Sequence, residues 1–140
     1  MKKIFTTFLF FSILTSSLNA HISHYKGFKK IEMEIFRNDE VIGYNYYIFK
    51  RDKDITQINN KIKFTVKIFG ATIFEVEGYG EEKYNKEKLI SFNSKTKQNK
   101  KIKFVNLELD KKNNKFIIQG SSYSGIAETT NIIGNWWNHK

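Results

Sequence analysis

Apolar and polar residues alternate without a slip from Lys61 to Ile68, with Ile62, Phe64, Val66 and Ile68 on one parity and Lys61, Lys63, Thr65 and Lys67 on the other. A period of two marks a strand with one buried face. Across Gly70 the stretch Thr72-Ile73-Phe74-Glu75-Val76-Glu77 answers it. A hairpin closed through Gly70 places Phe64 and Val66 among Phe74 and Val76, and it sets Lys63, Thr65 and Lys67 with Glu75 and Glu77 on the other face. The same rhythm comes earlier, where Ile31, Met33 and Ile35 alternate with Lys30, Glu32 and Glu34, and Ile42, Tyr44, Tyr46 and Ile48 follow beyond Asn38-Asp39. A two-residue turn at Asn38-Asp39, whose side chains tolerate positive φ, sets Ile35 opposite Ile42, Met33 opposite Tyr44 and Ile31 opposite Tyr46. A five-residue connection (51 to 55) then brings Ile48 beside Ile58, Tyr44 beside Ile62 and Ile42 beside Phe64, so that one apolar face runs through both hairpins.

Beyond Val76 the strand is expected to fade at Gly78-Tyr79-Gly80, where glycines suggest a bend or bulge. Glu81 to Lys88 reads as the next turn, with room for one helical turn but no apolar stripe. Leu89 to Thr96 alternates again, Lys97 to Lys100 turns the chain, and Ile102 and Phe104 then fall out of phase with Val105, Leu107 and Leu109. That phase change predicts a bulge near Phe104 or a strand buried on both faces. Asp110 to Asn114 is a polar turn, Phe116-Ile117-Ile118 begins a seventh strand, and Gly120 to Gly125 reads as a small-residue loop. The fold class is therefore all-β, an antiparallel meander of about seven strands. At about 25 cal/mol per Å² of apolar surface, such a face cannot stay wet. The sheet is expected to curl into a half-barrel or open barrel, to fold over, or to be covered.

The first twenty residues stand apart. Lys2 and Lys3, an apolar run from Ile4 to Leu14 and the segment Thr15 to Ala20 have the three-part form of a secretory signal peptide. Cleavage is expected after Ala20, with Ser17 as the alternative, leaving residues 21–140 as a single domain in the periplasm or outside the cell. The apolar run is too short to span a bilayer, so no membrane anchor remains after cleavage. The chain has no Cys, which rules out disulfides, thiol chemistry and lipid attachment at the new terminus. Losing the two leader lysines lowers the net charge from +10 to +8. Anionic lipid, acidic polysaccharide or nucleic acid would suit that charge, but the lysines are scattered, as in AT-rich coding, and export argues against nucleic acid.

Candidate chemistry is sparse. Cleavage would make His21 the N-terminus, with His24 nearby and His139 at the far end; imidazoles suit copper or zinc, but nothing in the spacing gathers these three. Glu32 with Glu34, Glu75 with Glu77, and Glu81 with Glu82 are paired carboxylates of the kind glycoside hydrolysis needs. The first two pairs lie at strand spacing opposite the apolar face, where Lys30, Lys63 and Lys67 can partner them. The aromatic residues carry more. Tyr44, Tyr46, Phe64, Phe74 and Phe92 share the inferred inner face, with Trp136 and Trp137 at the end of the chain. They either fill a core or line a cleft for a lipid or another apolar small molecule. The expectation is a non-enzymatic binder of an apolar or amphipathic ligand, with no cofactor. The alternatives are a module that docks on an envelope protein through an open sheet edge or face, and a metal-dependent or carboxylate enzyme.

Four segments carry a resemblance. Asn38-Asp39-Glu40-Val41-Ile42-Gly43, Ile62 to Gly70, Glu82 to Thr96, and Trp136-Trp137-Asn138 resemble successive landmarks of a domain-of-unknown-function family of exported, mostly proteobacterial β-sheet proteins. That family is distantly similar to the periplasmic half-barrels that carry lipids and lipoproteins. The resemblance covers roughly Gly27 to Asn138 and implies a curled sheet, with no activity or functional residues attached. It also implies further strands beyond the Trp-Asn landmark, so the chain reads as a C-terminally truncated member with an uncovered edge.

Overall fold

The structure is a computed structural model, and it describes residues 27–86 and 88–130. The segment read as a signal peptide, all three histidines, and Trp136 and Trp137 lie outside the described residues. Eight strands follow one another in the chain and in space: β1 (Lys30–Arg37), β2 (Glu40–Asp52), β3 (Ile55–Ile68), β4 (Ala71–Asn85), β5 (Lys88–Gln98), β6 (Lys101–Asp110), β7 (Lys115–Gly120) and β8 (Ser124–Glu128). All are antiparallel to their neighbours in the order β1 to β8, and among the described residues β1 and β8 do not pair, so the meander stays open. β8 is one strand more than the pattern predicts. Gly125, Ala127 and the flanking serines lack the branched side chains that signal a strand, yet Phe116 and Ile118 pair with Ala127 and Gly125.

The turns are tighter than expected and the strands longer. Asn38 and Asp39 both take positive φ (49° and 63°), as a two-residue hairpin of the type I′ family demands. Phe69 and Gly70 do the same at 49° and 79°. Asp52 pairs with Ile55 across Lys53-Asp54, which replaces the expected five-residue connection. β4 runs unbroken through Gly78 and Gly80 to Asn85, so Glu81 to Asn85 is strand and not turn. Gly78 lies opposite Ile62, whose Cγ2 a β-carbon would meet at 2.9 Å; the glycine makes room for that side chain and bends nothing.

The central hairpin has the predicted pairing, Phe64 with Val76 and Val66 with Phe74, and Lys63 with Glu77 on the other side. The first hairpin does not. Phe36 pairs with Val41, but Ile35 pairs with Gly43, Met33 with Asn45 and Ile31 with Tyr47. The extra residue, Ile42, forms a bulge, and the bulge exchanges the two faces of β2 relative to β1. β2 meets β3 through Gly43 with Phe64, Asn45 with Ile62 and Phe49 with Ile58. Tyr44, Tyr46 and Ile48 therefore lie on the face opposite Phe64, Phe74 and Phe92. Near Phe104 the pattern predicts a bulge or a strand buried on both faces, and β5–β6 pairing shows no bulge. β6 instead carries apolar residues on both faces, with Ile102 and Phe104 exposed.

One face gathers the buried side chains Tyr47, Phe49, Ile58, Tyr84, Leu107 and Phe116. Glu82 is also buried there and accepts a hydrogen bond from the Tyr84 hydroxyl at 2.6 Å. Asn60 Nδ2 donates to Asn45 Oδ1 at 2.6 Å and to the Tyr46 carbonyl at 3.0 Å, which ties β2 to β3 on the same face.

The four-residue β6–β7 turn is organised by Asp110. Asn113 donates from its side chain (2.6 Å) and its backbone (3.3 Å), and the Lys112 N–H donates at 2.9 Å. The Asn113 side chain, with these backbone donors, holds the Asp110 carboxyl below its ordinary value of 3.8. A depressed folded value means that the contribution to folding is present above the ordinary value and fades as pH falls through the folded one. A ¹³C carboxyl titration should therefore place Asp110 below 3.8, and Asn113→Ala should move it back up.

Candidate functional site

The face opposite the core carries a second, unpredicted pattern. Reading pairs across the sheet, Tyr46 sits opposite Lys61, Lys61 opposite Tyr79, Tyr79 opposite Lys95, and Lys95 opposite Phe104. Directly paired residues point to the same face, so five strands build one row in which rings alternate with lysines. The rings recur on every second strand, at about 9.6 Å. The next row is polar apart from its first member: Ile48, Asn59, Glu81, Asn93 and Asn106, again one from each strand. Between them these two rows line a hollow of about 580 Å³.

The charges in this hollow are unevenly matched. Glu81 is engaged on both oxygens, by Lys83 Nζ at 2.9 Å and by Gln57 Nε2 at 2.7 Å. Lys61 lies 5.4 Å from the Tyr79 ring centre and Lys30 lies 5.3 Å from that of Tyr46, both within cation–π range. Neither Lys61 nor Lys95 makes an ion pair among the described residues. The side-chain amides of Asn93 and Asn106 likewise have no hydrogen-bond partner among the described residues. Besides Glu81, already engaged by Lys83 and Gln57, and Asn59, the hollow is faced by three rings, the aliphatic Ile48, two ammonium groups without ion-pair partners among the described residues, and two amides with donors and acceptors to spare. Such a surface takes apolar groups on the rings and an anionic or hydroxylated group beside them.

The ring residues singled out from the sequence divide between the two faces. Tyr46 lines the hollow, and Tyr44 stacks on it at 6.0 Å. Phe64 and Phe74 meet at 5.8 Å on the core face, which Phe92 shares through its pairing with Leu107. The expectation of one inner face for all five is corrected by the β2–β3 register: the two-residue Lys53-Asp54 turn sets Asp52 opposite Ile55, and the ladder from there pairs Tyr46 with Lys61 and Gly43 with Phe64. Tyr79, Phe104, Lys61 and Lys95 were not singled out by the pattern. Tyr79 stands between two glycines in a stretch whose composition predicts a bend, and Phe104 sits where the alternation changes phase. Only the register places them in line.

Of the carboxylate pairs, Glu32 with Glu34 and Glu75 with Glu77 lie, as expected, on the face opposite the core. Glu32 is bonded to Lys30 at 2.5 Å, the Tyr79 hydroxyl donates to Glu77 at 3.2 Å, and Glu81 and Glu82 point to opposite faces. Among the described residues no three His, Cys, Asp or Glu side chains come together to hold a metal, and no helix is long and apolar enough to cross a membrane.

Fold and site together define an open, single-sheet antiparallel meander with a ring-and-lysine row across its middle strands. No curated protein and no solved structure matches the chain. Residues 33–140 match the family described as a domain of unknown function (DUF6134), and the protein belongs to that family.

Proposed function

We propose that this is an exported, non-catalytic protein that binds an amphipathic, anionic ligand in the hollow across β2 to β6. The observation that carries this reading is the row Tyr46–Lys61–Tyr79–Lys95–Phe104, where two ammonium groups without carboxylate partners among the described residues are interleaved with the half-buried Tyr46 and the exposed Tyr79 and Phe104. The rings and Ile48 would take the apolar part of the ligand, and Lys61 and Lys95 its charged group. The reading keeps the parallel with lipid-carrying periplasmic half-barrels and moves the ligand from the core face to the opposite one. A periplasmic or secreted location follows from the leader-like start of the chain and belongs to the same proposal.

Native mass spectrometry of protein isolated from its own envelope should show a retained amphiphile. Stripped protein should then bind a fluorescent fatty acid. Tyr79→Ala is expected to weaken that binding about tenfold, a loss of about 1.4 kcal/mol. Replacing Lys61 and Lys95 by Gln should weaken a fatty acid and leave its methyl ester unaffected. Protein that carries no amphiphile and ignores the fatty acid would end this reading.

A further inference from the structure

Two hairpin tips project beyond the rest of the sheet at one end. Gly43, Phe64, Val76 and Gln98 lie at one level across β2 to β5. From that level β5 turns back at once through Asn99, whereas Asp39 is four positions beyond Gly43 and Phe69 five beyond Phe64. At about 3.3 Å per residue, the β1–β2 and β3–β4 tips stand roughly 10 Å or more beyond the β5–β6 turn. The two tips lie side by side, with a hollow of about 370 Å³ between them that Arg37, Val41, Thr65 and Lys67 help to line.

These tips expose apolar side chains. Phe69 is 104% exposed, and Phe36, Val41, Ile68 and Ile73 around it are exposed as well. Phe69 also takes a φ of 49° at the first central position of its turn, a region that bulky side chains occupy at a cost and that Asn or Gly fills readily. Neither packing nor turn chemistry accounts for a ring there, and such unaccounted apolar surface marks a contact outside the chain. At the tips Arg37 and Lys67 offset Asp39 and Glu40. Behind them the shoulder is basic, with Lys100 and Lys101 at the β5–β6 turn and Lys97 and Lys103 on the strands it joins.

We infer that the paired tips dock on an anionic lipid bilayer, with Phe69 and Ile68 entering the acyl boundary and the shoulder lysines facing the headgroups. Apolar groups of interfacial proteins sit about 5–10 Å deep. Tips inserted to that depth bring Lys100 and Lys101 within about one Debye length, roughly 8–10 Å, of the charged surface. A protein partner fits less well. A specific interface needs about 800 Å² from each side, more than two convex turns offer. The inference is independent of the ligand proposed for the hollow on β2 to β6.

Flotation of the purified protein with vesicles tests it. Vesicles of phosphatidylglycerol and phosphatidylethanolamine should carry the protein up at 0.1 M salt, and vesicles of phosphatidylcholine alone should carry at least tenfold less. Phe69→Ser should reduce the bound fraction tenfold or more, and Lys100→Gln with Lys101→Gln several-fold. Phe69→Asn separates this role from a structural one, because it should raise the melting temperature while abolishing flotation. Absence of flotation with anionic vesicles would overturn the inference, as would flotation that Phe69→Ser leaves intact. So would a concentration-dependent dimer that Phe69→Ser dissolves in the absence of lipid.

Discussion

Gly43→Ala is expected to destabilise the protein by about 3 kcal/mol, at the upper end of what overpacking usually costs. Where β2 pairs with β3, a β-carbon at position 43 would fall on the Lys63 carbonyl oxygen and the Phe64 β-carbon, and it would come within 2.5 Å of the Phe64 Cα. None of these is the far end of a flexible side chain, so relief requires the two strands to part. Urea titration should show a lower midpoint with an unchanged slope, and the melting point should fall by roughly 10–20 °C. Adding Phe64→Ala should not restore stability, because the clash is with atoms that alanine keeps. A full rescue by that second change would mean that the ring, and not the backbone, sets the approach of the strands.

Ile58→Ala should cost about 4 kcal/mol, within the range for deleting a buried branched side chain. Ile58 is 1% exposed and pairs with Phe49 on one side and Glu82 on the other. Removing it opens a void among close-packed neighbours and loosens the wall beside a buried carboxylate. Ile58→Val, which deletes one methyl group, should cost about 1 kcal/mol. The neighbouring Asn59→Ala, on the opposite face, should stay within about 0.5 kcal/mol. Denaturant titration of the three variants reads the orientation of β3 directly. Equal losses at positions 58 and 59 would overturn the division of the sheet into a core face and a solvent-facing one.

That division was partly legible in the sequence. Alternation at Lys61 to Val66 and at Phe74 to Glu77 set the central hairpin register because the two stretches share one period, and the pairing shifts only beyond Val66, where Ile73 is the extra residue. The Asn38-Asp39 turn was legible for a local reason too, since both side chains accept positive φ. The two-residue turn at Phe69-Gly70 was half legible. Gly70 signals it, but Phe69 at positive φ breaks the local rule, as residues kept for an outside contact do. β8 gave almost no signal, because a strand of small residues draws its order from the strand it pairs with.

The ring-and-lysine row was not legible. Each of its members belongs to a different strand, so it exists only once five registers are set together. The length of the turn at Lys53-Asp54 decides whether Tyr46 faces the core or lines up with Lys61 and Tyr79, because the β2–β3 ladder runs without a slip from that turn to Gly43 and Phe64. Apolar residues of either parity in β2, Tyr44, Tyr46 and Ile48 or Tyr47 and Phe49, could have supplied the buried face, and hydrophobic patterning does not choose between them.

By itself, then, the chain's alternation of apolar and polar residues determined that it forms an antiparallel meander, and its turn residues determined most of the places where it reverses, because both are properties of a few neighbouring residues. Tertiary structure decided which side of β2 is buried. The two-residue turn at Lys53-Asp54 fixes the β2–β3 register, which turns Tyr46 outward into the row that Tyr79 and Phe104 complete, and the absence of a side chain at Gly43 lets the end of that ladder close on Phe64.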